Sequence, residues 1–302
     1  MKLRTIVLTV GATVLIAEAA AAGGLYLSLP VERAVYTPTP ISAAERAETL
    51  AALRPPKRAR PLVAVIGENE GSETADYLIP YGVLKRSGAA DVVSLGVREG
   101  PVKLFPVLTI VPEMTIASFD RAHPDGADYV IVPAMHRYDD PVVAAWLKAQ
   151  SQKGATIVGI CAGAIVMARA GLLRDRRATT HWLWVDYMRS FDPSIRHVPG
   201  RRYVADRGVV TTTGVSASLP VSLALVEAIA GRAHAESLAA ELGADGWEAL
   251  HASGSYHLTR HDLRLFAANV LGFWRHETVG IAIAPGVDEV ALGLVADAYA
   301  NT

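Results

Sequence analysis

The single cysteine, Cys161, lies where an apolar stretch predicted as a strand meets one predicted as a helix, within VGICAGAIVMARAGLL at 158–173. The small pair Ala162-Gly163 allows a sharp turn there, which is the geometry of a nucleophile elbow. At a helix N-terminus we expect a lowered thiol pKa, and free amides of the first turn can bind developing negative charge. The alternative is a buried structural cysteine, and the spacing alone leaves both interpretations open.

The composition narrows the chemistry further. One cysteine in 302 residues excludes an internal disulfide framework and a cysteine-based zinc site. Three histidines near the C-terminus, His251, His257 and His261, are spaced by six and four positions, and no group in the pattern would orient them as metal ligands. We therefore interpret them as surface or capping residues. The sequence predicts no metal and no cofactor. The net charge is −1, from 29 basic and 30 acidic residues, which gives no electrostatic reason to expect nucleic acid as a partner.

Short apolar runs alternate with helix-length segments from Leu62 onward. The predicted strands are PLVAVIG, ADVVSLG, VLTIVP, ADYVIVPAM, GATIVGI and two within RRYVADRGVVTTTG. The predicted helices are ETADYLIPYGVLKRSG, about 140–153, AGAIVMARAGLL and ASLPVSLALVEAIAG. This alternation predicts an α/β fold, a three-layer sandwich with a mostly parallel sheet. Functional sites in such sheets form at the carboxyl ends of strands. Cys161 directly follows the strand predicted at 155–160, so it lies at such an end.

Several of these stretches resemble the ThiJ/PfpI superfamily, a relative of class I glutamine amidotransferases. GICAGAIVMARAGLLRDRRATTHW is similar to the nucleophile region of that superfamily, and DYLIPYGVLKRSG to its first helix. RRYVADRGVVTTTGVSASLPVSLALVEAIAG is similar to its closing strand, loop and helix. The similarity covers 62–231, is nearest to the isonitrile-hydratase-like and amidotransferase-like regulator branches, and implies a flavodoxin-like fold.

The resemblance implies three residues with chemical roles. Cys161 matches the family nucleophile, and Asp76, four positions before Pro80, matches the acidic residue that approaches its sulfur. His181 matches a histidine twenty positions after the cysteine. A carboxyl group beside a thiol can hold or relay a proton, and a histidine can act as base or stabilise the thiolate. The alternatives are an exposed helix charge for Asp76 and a structural histidine beside Trp182.

The resemblance also implies backbone groups that hold a developing anion. We expect the amides of Ala162 and Met135 to do this. The sequence departs from the family at Ala134 and Met135, where two glycines often stand, and the Met135 side chain is expected to crowd the pocket. The run TTTGVSAS matches a loop near the pocket, so Thr213 and Gly214 are expected to line it, and Gly214 can take a positive φ.

The first thirty residues differ from the rest of the chain. Two basic residues precede the apolar run Thr5–Leu29, which only Glu18 interrupts and which is long enough to cross a bilayer. We interpret 1–30 as a single-pass membrane anchor with the body extracytoplasmic. The alternative is a signal peptide cleaved near Ala17-Glu18-Ala19, which would leave a secreted or periplasmic protein.

The remaining segments complete the predicted domain organisation. Residues 31–61 are predicted to be a linker, and 62–231 to be the ThiJ/PfpI-like domain. Residues 232–302 are predicted to be a C-terminal α/β extension, with two helices followed by a strand, a turn and a helix. The tail has no recognisable helix-turn-helix pattern, so no DNA-binding module is expected.

Two functions fit these observations. The first is a hydrolase, hydratase or lyase in which Cys161 attacks a small carbonyl, amide or isonitrile-type substrate while Asp76 and His181 move protons. The second is a ligand-binding or sensor module that has lost turnover, which the expected crowding by Met135 favours. Members of the superfamily are commonly dimers, so the resemblance implies a homodimer.

Overall fold

The computed structural model describes residues 23–300, which divide into two compact units. The larger unit comprises 36–254 and 281–300, and the smaller one comprises 23–35 and 255–280. All the predicted site residues belong to the larger unit.

A seven-stranded sheet forms the centre of the larger unit. The strands of this unit are β1 (Leu62–Gly67), β2 (Ser72–Glu73), β3 (Asp91–Gly96), β4 (Val102–Phe105), β5 (Leu108–Ile110), β6 (Met114–Thr115), β7 (Tyr129–Val132), β8 (Thr156–Gly159), β9 (Arg177–Ala178), β10 (Arg196–His197), β11 (Tyr203–Asp206) and β12 (Val209–Thr212). The order in the sheet is β11-β12-β8-β7-β1-β3-β6. Only β11 runs antiparallel to its neighbour, so the predicted mostly parallel sheet is confirmed.

Helices cover both faces of this sheet. Among residues 36–300, the α-helices are α1 (Ala43–Ala52), α2 (Thr74–Arg86), α3 (Ile116–Ala122), α4 (Pro141–Gln152), α5 (Gly163–Arg169), α6 (Val185–Phe191), α7 (Ser218–Ala230), α8 (Arg232–Glu241), α9 (Arg260–Leu271) and α10 (Glu289–Ala300). All of them except α9 belong to the larger unit.

The central strand β1 shows why the unit has three layers. Val63 and Val65 point into a core that also contains apolar residues of α2 and α7. Ala64 and Ile66 point into a second core, with apolar residues of α3, α4 and α5. Side chains alternate along a strand, so a strand that is apolar at every position must be covered on both faces. The predicted three-layer α/β sandwich is therefore confirmed.

Two small sheets lie outside the main one. Strands β2, β4 and β5 form one of them, and β9 pairs with β10 in the other. The first sheet places Phe105 and Glu73 at neighbouring positions of the β2–β4 pair. An isolated bridge between Ser72 and Met135 connects β2 to the chain that follows β7. The predicted strand in VLTIVP forms as β5, but in this small sheet.

The structure differs from the predicted linker at 36–61, which packs as part of the larger unit. Helix α1 begins after Ser42, whose side chain accepts a hydrogen bond from the amide of Glu45, and Leu53 beyond its end is fully buried. Arg58 donates to the buried carboxylate of Asp128 at 2.6 Å. A free linker would bury neither an apolar side chain nor an ion-pair partner.

The C-terminal segment of the larger unit confirms one predicted element and not another. Residues 281–284 form no strand, whereas α10 forms and packs against α2. Two glycines show how closely the helices pack. A Cβ at Gly82 would lie 2.8 Å from Val290 Cγ2, and a Cβ at Gly293 would lie 3.2 Å from Leu78 Cβ. This α10 is the helix of the predicted strand–helix unit, without its strand.

The smaller unit holds the end of the predicted anchor together with α9. Residues 23–28 are helical, and positions 1–22 of the predicted anchor lie outside the described residues. Among residues 23–300, no helix combines the length and the apolar character that crossing a membrane requires. The anchor and the signal peptide therefore both stay predictions.

Candidate active site

Cys161 occupies the turn between β8 and α5 in a strained conformation. Its φ is 52°, in the left-handed region that few residues other than glycine adopt. Its amide donates to Thr212 Oγ1 at 3.0 Å, and its carbonyl accepts from Thr180 Oγ1 at 3.0 Å. A Cβ at Gly163 would lie 2.0 Å from the Val132 carbonyl oxygen, so only glycine allows α5 to start this close to β7. The predicted elbow is present.

Cys161 is half-buried, and protein groups surround most of its thiol. Burial, followed by the nearby charge of Asp76 and then Glu73, raises its pKa well above the ordinary value. The backbone amides of Ala162 and Val215 oppose this by hydrogen bonding to the sulfur. The predicted lowering of the thiol pKa is therefore wrong. Desolvation and the charges of two carboxyl groups raise the pKa by more than the hydrogen bonds from two backbone amides lower it.

Asp76 is fully buried in the first turn of α2. The Ala134 amide donates to its Oδ2 at 3.1 Å, and Ser218 Oγ donates to its Oδ1 at 3.4 Å. Burial raises the pKa of Asp76 to about 7 against these hydrogen bonds, and the carboxylate of Asp297 on α10 adds to the rise. The alternative of an exposed helix charge is thus wrong, and the group can change protonation state near neutral pH.

Glu73 is a fourth group of the site that the sequence reasoning missed. It caps α2, with Oε2 accepting from the Asp76 amide, and its buried Oε1 finds no hydrogen-bond partner among the described residues. Burial and the charge of Asp76 raise the pKa of Glu73 to about 9. The available signal was its position three residues before Asp76, where a helix N-cap is expected.

A cavity of about 410 Å³ opens beside the sulfur. Of the predicted residues, it is lined by Cys161, Ala162, Ala134, Met135 and His181. The structure thus brings the three-residue set of the sequence prediction into one place, with Asp76 buried directly behind this wall.

His181 lines this cavity and begins the 3₁₀ turn Trp182–Trp184. Its Nδ1 accepts from the Leu183 amide at 3.4 Å, which leaves Nε2 as the nitrogen that can exchange a proton. Burial lowers the pKa of His181, which favours the neutral ring. A Cβ at Gly214 would lie 3.1 Å from His181 Cδ2, so a larger residue there would press against the His181 ring. The φ of Gly214 is −72°, so its backbone does not use the left-handed region that glycine allows.

The predicted anion-holding groups are only partly in place. The Ala134 amide is engaged by Asp76, and Thr213 directs its amide and its hydroxyl to the Arg202 carbonyl at 2.9 and 3.2 Å, away from the cavity. Met135 lies opposite Ser72 in an isolated antiparallel β-bridge. The hydrogen bonds of this bridge are made by the residues on either side of Met135 and Ser72, so the Met135 amide takes no part in them. The Val215 amide, which was not predicted, faces the sulfur instead.

Glu73 also lines the cavity, and the other walls are aromatic or apolar. They are formed by Phe105, His136, Tyr138, Ile165, Trp184 and Tyr187. Phe105 and His136 stack at 4.2 Å, and the hydroxyls of Tyr138 and Tyr187 lie 2.9 Å apart. No lysine or arginine is among the described residues that line it. The parts of this wall from β4 and α6 were not predicted, because these elements are distant from Cys161 along the chain.

The chain is similar to known proteins over this same region. Residues 62–228 match the model of the DJ-1/PfpI family. Isonitrile hydratase of Pseudomonas putida is 29% identical over 94 residues, which cover 31% of this chain and 40% of that protein. The HTH-type transcriptional regulator CdhR of Pseudomonas aeruginosa is 33% identical over 102 residues, 34% of this chain and 29% of the regulator. The match spans less than half the length of either relative.

The fold is shared with solved structures. Oxidized DJ-1 of Toxoplasma gondii superposes with a TM-score of 0.54 at 23% identity, over 61% of this chain and 99% of that one. The region that matches the family model contains the elbow, Asp76, Glu73 and His181. It also makes up more than half of the 302 residues, so the resemblance to the ThiJ/PfpI superfamily is confirmed. The chain belongs to the DJ-1/PfpI family.

Proposed function

We propose that the protein is a cysteine-dependent hydratase or hydrolase that acts on a small, neutral electrophile with an apolar substituent. The observation that carries the proposal is the position of Cys161, on a strained elbow, facing an apolar cavity beside two carboxyl groups with separated pKa values. Pairs of titratable groups with pKa values pushed apart are typical of acid and base partners.

Each group has a distinct part in this proposal. Asp76, with a pKa of about 7, accepts the thiol proton as the sulfur of Cys161 attacks. Glu73, with a pKa of about 9, is protonated at neutral pH and donates its proton to the substrate. The amides of Ala162 and Val215 stabilise negative charge on the sulfur, since both already donate to it.

An isonitrile illustrates the balance of the reaction. The sulfur bonds to the terminal carbon, which gains a proton, so that the thiol adds across this carbon and forms a thioimidate. Water then adds to the same carbon, the carbon–sulfur bond breaks, the proton returns to sulfur and a formamide leaves. Support for this substrate type comes from the similarity to isonitrile hydratase and from the lack of a cation among the described lining residues, which disfavours carboxylate or phosphate substrates.

A ligand-binding module without turnover is the second candidate. The raised pKa of the Cys161 thiol favours it, because the thiolate is the nucleophilic form. The similarity to a transcriptional regulator supports it as well, although that match covers 29% of the regulator. Met135, which is buried and lines the cavity, narrows the space beside the sulfur.

Turnover and binding measured on one set of compounds separate the two candidates. The panel contains aryl and alkyl isonitriles, α-oxoaldehydes and primary amides, with matched carboxylates as charged controls. An enzyme converts at least one neutral compound, and Cys161→Ala abolishes the conversion while calorimetry still detects binding. If the wild type and Cys161→Ala both bind a compound and neither converts it, the result supports the binding module. If neither binding nor turnover is detected, this site is rejected as one for small neutral ligands.

The N-terminal segment is part of the proposal for location. The apolar run Thr5–Leu29 supports a membrane anchor with the body outside the cytoplasm, and the alternative is a cleaved signal. Either would deliver the catalytic domain to the far side of a membrane.

A further inference from the structure

Helix α9 of the smaller unit is unusual because it buries no residue, although it is rich in large apolar side chains. Leu265, Phe266 and Leu271 are 57%, 67% and 68% exposed, and Trp274 just beyond its end is 69% exposed. A helix inside a domain buries its apolar side chains, and a large exposed patch of this kind marks an interaction surface.

Most of these side chains lie along one face of the helix. Leu263, Phe266, Val270 and Leu271 are separated by three, seven and eight positions, which places them in one stripe of a helix. Trp274 lies in the 3₁₀ turn Phe273–Arg275 just after the helix, and we include it in the set because it is also exposed. We call this set the apolar stripe of α9. Leu265 lies on the opposite side of the helix.

Contacts within the smaller unit attach α9 to the end of the N-terminal apolar segment. The Arg260 amide donates to the Pro30 carbonyl at 2.9 Å, and its guanidinium donates to the Leu27 carbonyl at 2.6 Å. The guanidinium of Arg264 lies 5.2 Å from the centre of the Tyr26 ring. The segment that contacts α9 is therefore the direct continuation of residues 5–22, which are apolar in sequence except for Glu18.

The side chains around the stripe fit a membrane surface. Trp274 ends the stripe between Phe273 and Arg275, and aromatic rings next to basic residues are typical of the bilayer interface. Arg264 flanks the stripe from the polar side. Exposed Leu25 and Leu27 extend the apolar surface within the same unit.

We propose that α9 lies in the plane of a lipid bilayer, with its apolar stripe inserted among the head groups and upper acyl chains. In this position it would form a second contact with the membrane beside the N-terminal segment, without crossing it. The proposal does not depend on catalysis by Cys161. It also does not require the N-terminal segment to be retained, because the stripe itself supplies the apolar area.

The test uses the full chain reconstituted with vesicles of phosphatidylcholine and phosphatidylglycerol that carry bromine on the upper acyl carbons. Bromine quenches tryptophan emission only at close range, so quenching reports insertion of Trp274. We expect quenching in the wild-type chain, its loss in Trp274→Phe, and its persistence in Trp247→Phe, since Trp247 is buried in the larger unit.

A matched pair of variants tests the orientation of the helix. Phe266→Ser with Leu271→Ser should abolish the quenching, because each inserted side chain changes partitioning by roughly 10- to 100-fold. Leu265→Ser should leave the quenching unchanged. All three side chains are exposed, so these changes are not expected to unfold the protein.

Three results would overturn the proposal. One is a chain that floats with the vesicles while Trp274 is not quenched, which would mean that only the N-terminal segment holds it. The second is quenching that survives Trp274→Phe. The third is a dimer in sedimentation that the Phe266→Ser and Leu271→Ser changes dissociate while lipid quenching is absent, which would assign the stripe to a second copy of the chain.

Discussion

The Ala134 amide donates a hydrogen bond to Oδ2 of Asp76 at 3.1 Å, which joins the end of β7 to the first turn of α2. This bond occupies the Ala134 amide, so this amide is not available to hold an anion in the cavity. It also fixes the carboxyl group that lies behind Cys161. The amides that hydrogen-bond to the sulfur are those of Ala162 and Val215.

Replacing Asp76 by asparagine should make the thiol more reactive. The charge of Asp76 raises the pKa of Cys161, and its removal should increase the rate of iodoacetamide labelling at pH 8 by roughly tenfold for each unit of pKa recovered. Cys161 is the single cysteine, so labelling followed by mass spectrometry is unambiguous. Asp245→Asn, at an exposed position, is the control. A thiol that reacts only after denaturation in both proteins would support the structural interpretation of Cys161.

The proposed chemistry should show a bell-shaped dependence of kcat/KM on pH. The base Asp76 acts above its pKa of about 7, and the acid Glu73 acts below its pKa of about 9. Activity should therefore rise through the lower value and fall through the upper one. Glu73→Gln should remove the alkaline limb and reduce the maximum. An alkaline limb that remains in this variant would show that Glu73 is not the acid.

Asp76 should also make the stability of the fold depend on pH. Its pKa is raised from 3.8 to about 7, so the folded state holds this proton more tightly than the unfolded state. The stabilisation is fully present below about pH 4 and is lost as pH rises through about 7. Urea unfolding should therefore show Asp76→Asn gaining stability relative to the wild type between pH 5 and pH 8. An equal difference at both pH values would contradict the assignment.

The elbow should not tolerate a methyl group at Gly163. A Cβ there would lie 2.0 Å from the Val132 carbonyl oxygen, so Gly163→Ala must displace α5 from β7. We expect a loss of at least about 1–3 kcal/mol in the free energy of unfolding and loss of activity. Gly280→Ala is the control, because a Cβ at that position meets nothing within 4 Å. Wild-type stability in Gly163→Ala would mean that the elbow is wider than described.

The location of the chain can be tested through Glu18. A carboxyl group in the hydrocarbon costs roughly 2.5–3.5 kcal/mol at mid-helix, so Glu18→Leu should strengthen resistance to carbonate extraction if the segment spans a membrane. If the segment is a signal, the same change should disturb cleavage near Ala19. N-terminal sequencing of the membrane and soluble fractions distinguishes the two, and unchanged behaviour in both would contradict both interpretations.

The sequence pattern was sufficient for the sheet and the elbow, and the resemblance to the ThiJ/PfpI superfamily supplied the pairing of Cys161 with Asp76. Strands such as β1 are apolar at every position because they are covered on both faces, and this is visible as an unbroken run. The turn at Cys161 was predictable because small residues directly follow it. The strands and the elbow are local features, so the local order of residues is enough to predict them.

Other features depend on contacts between distant segments, and only the tertiary structure decided them. Residues 36–61 look like a linker in the sequence. Their attachment to the larger unit depends on one buried leucine and on an ion pair with the distant Asp128, and neither contact can be recognised before the chain is folded. The rise in the thiol pKa comes from burial together with the charges of Asp76 and Glu73, and desolvation cannot be read from spacing. The aromatic wall is assembled from β4, α6 and the loop after β7, and the roles of Ala134 and Thr213 depend on where their hydrogen bonds point. Sequence by itself determined which residues could do chemistry, whereas the packing around them decided their protonation and which amides face the sulfur.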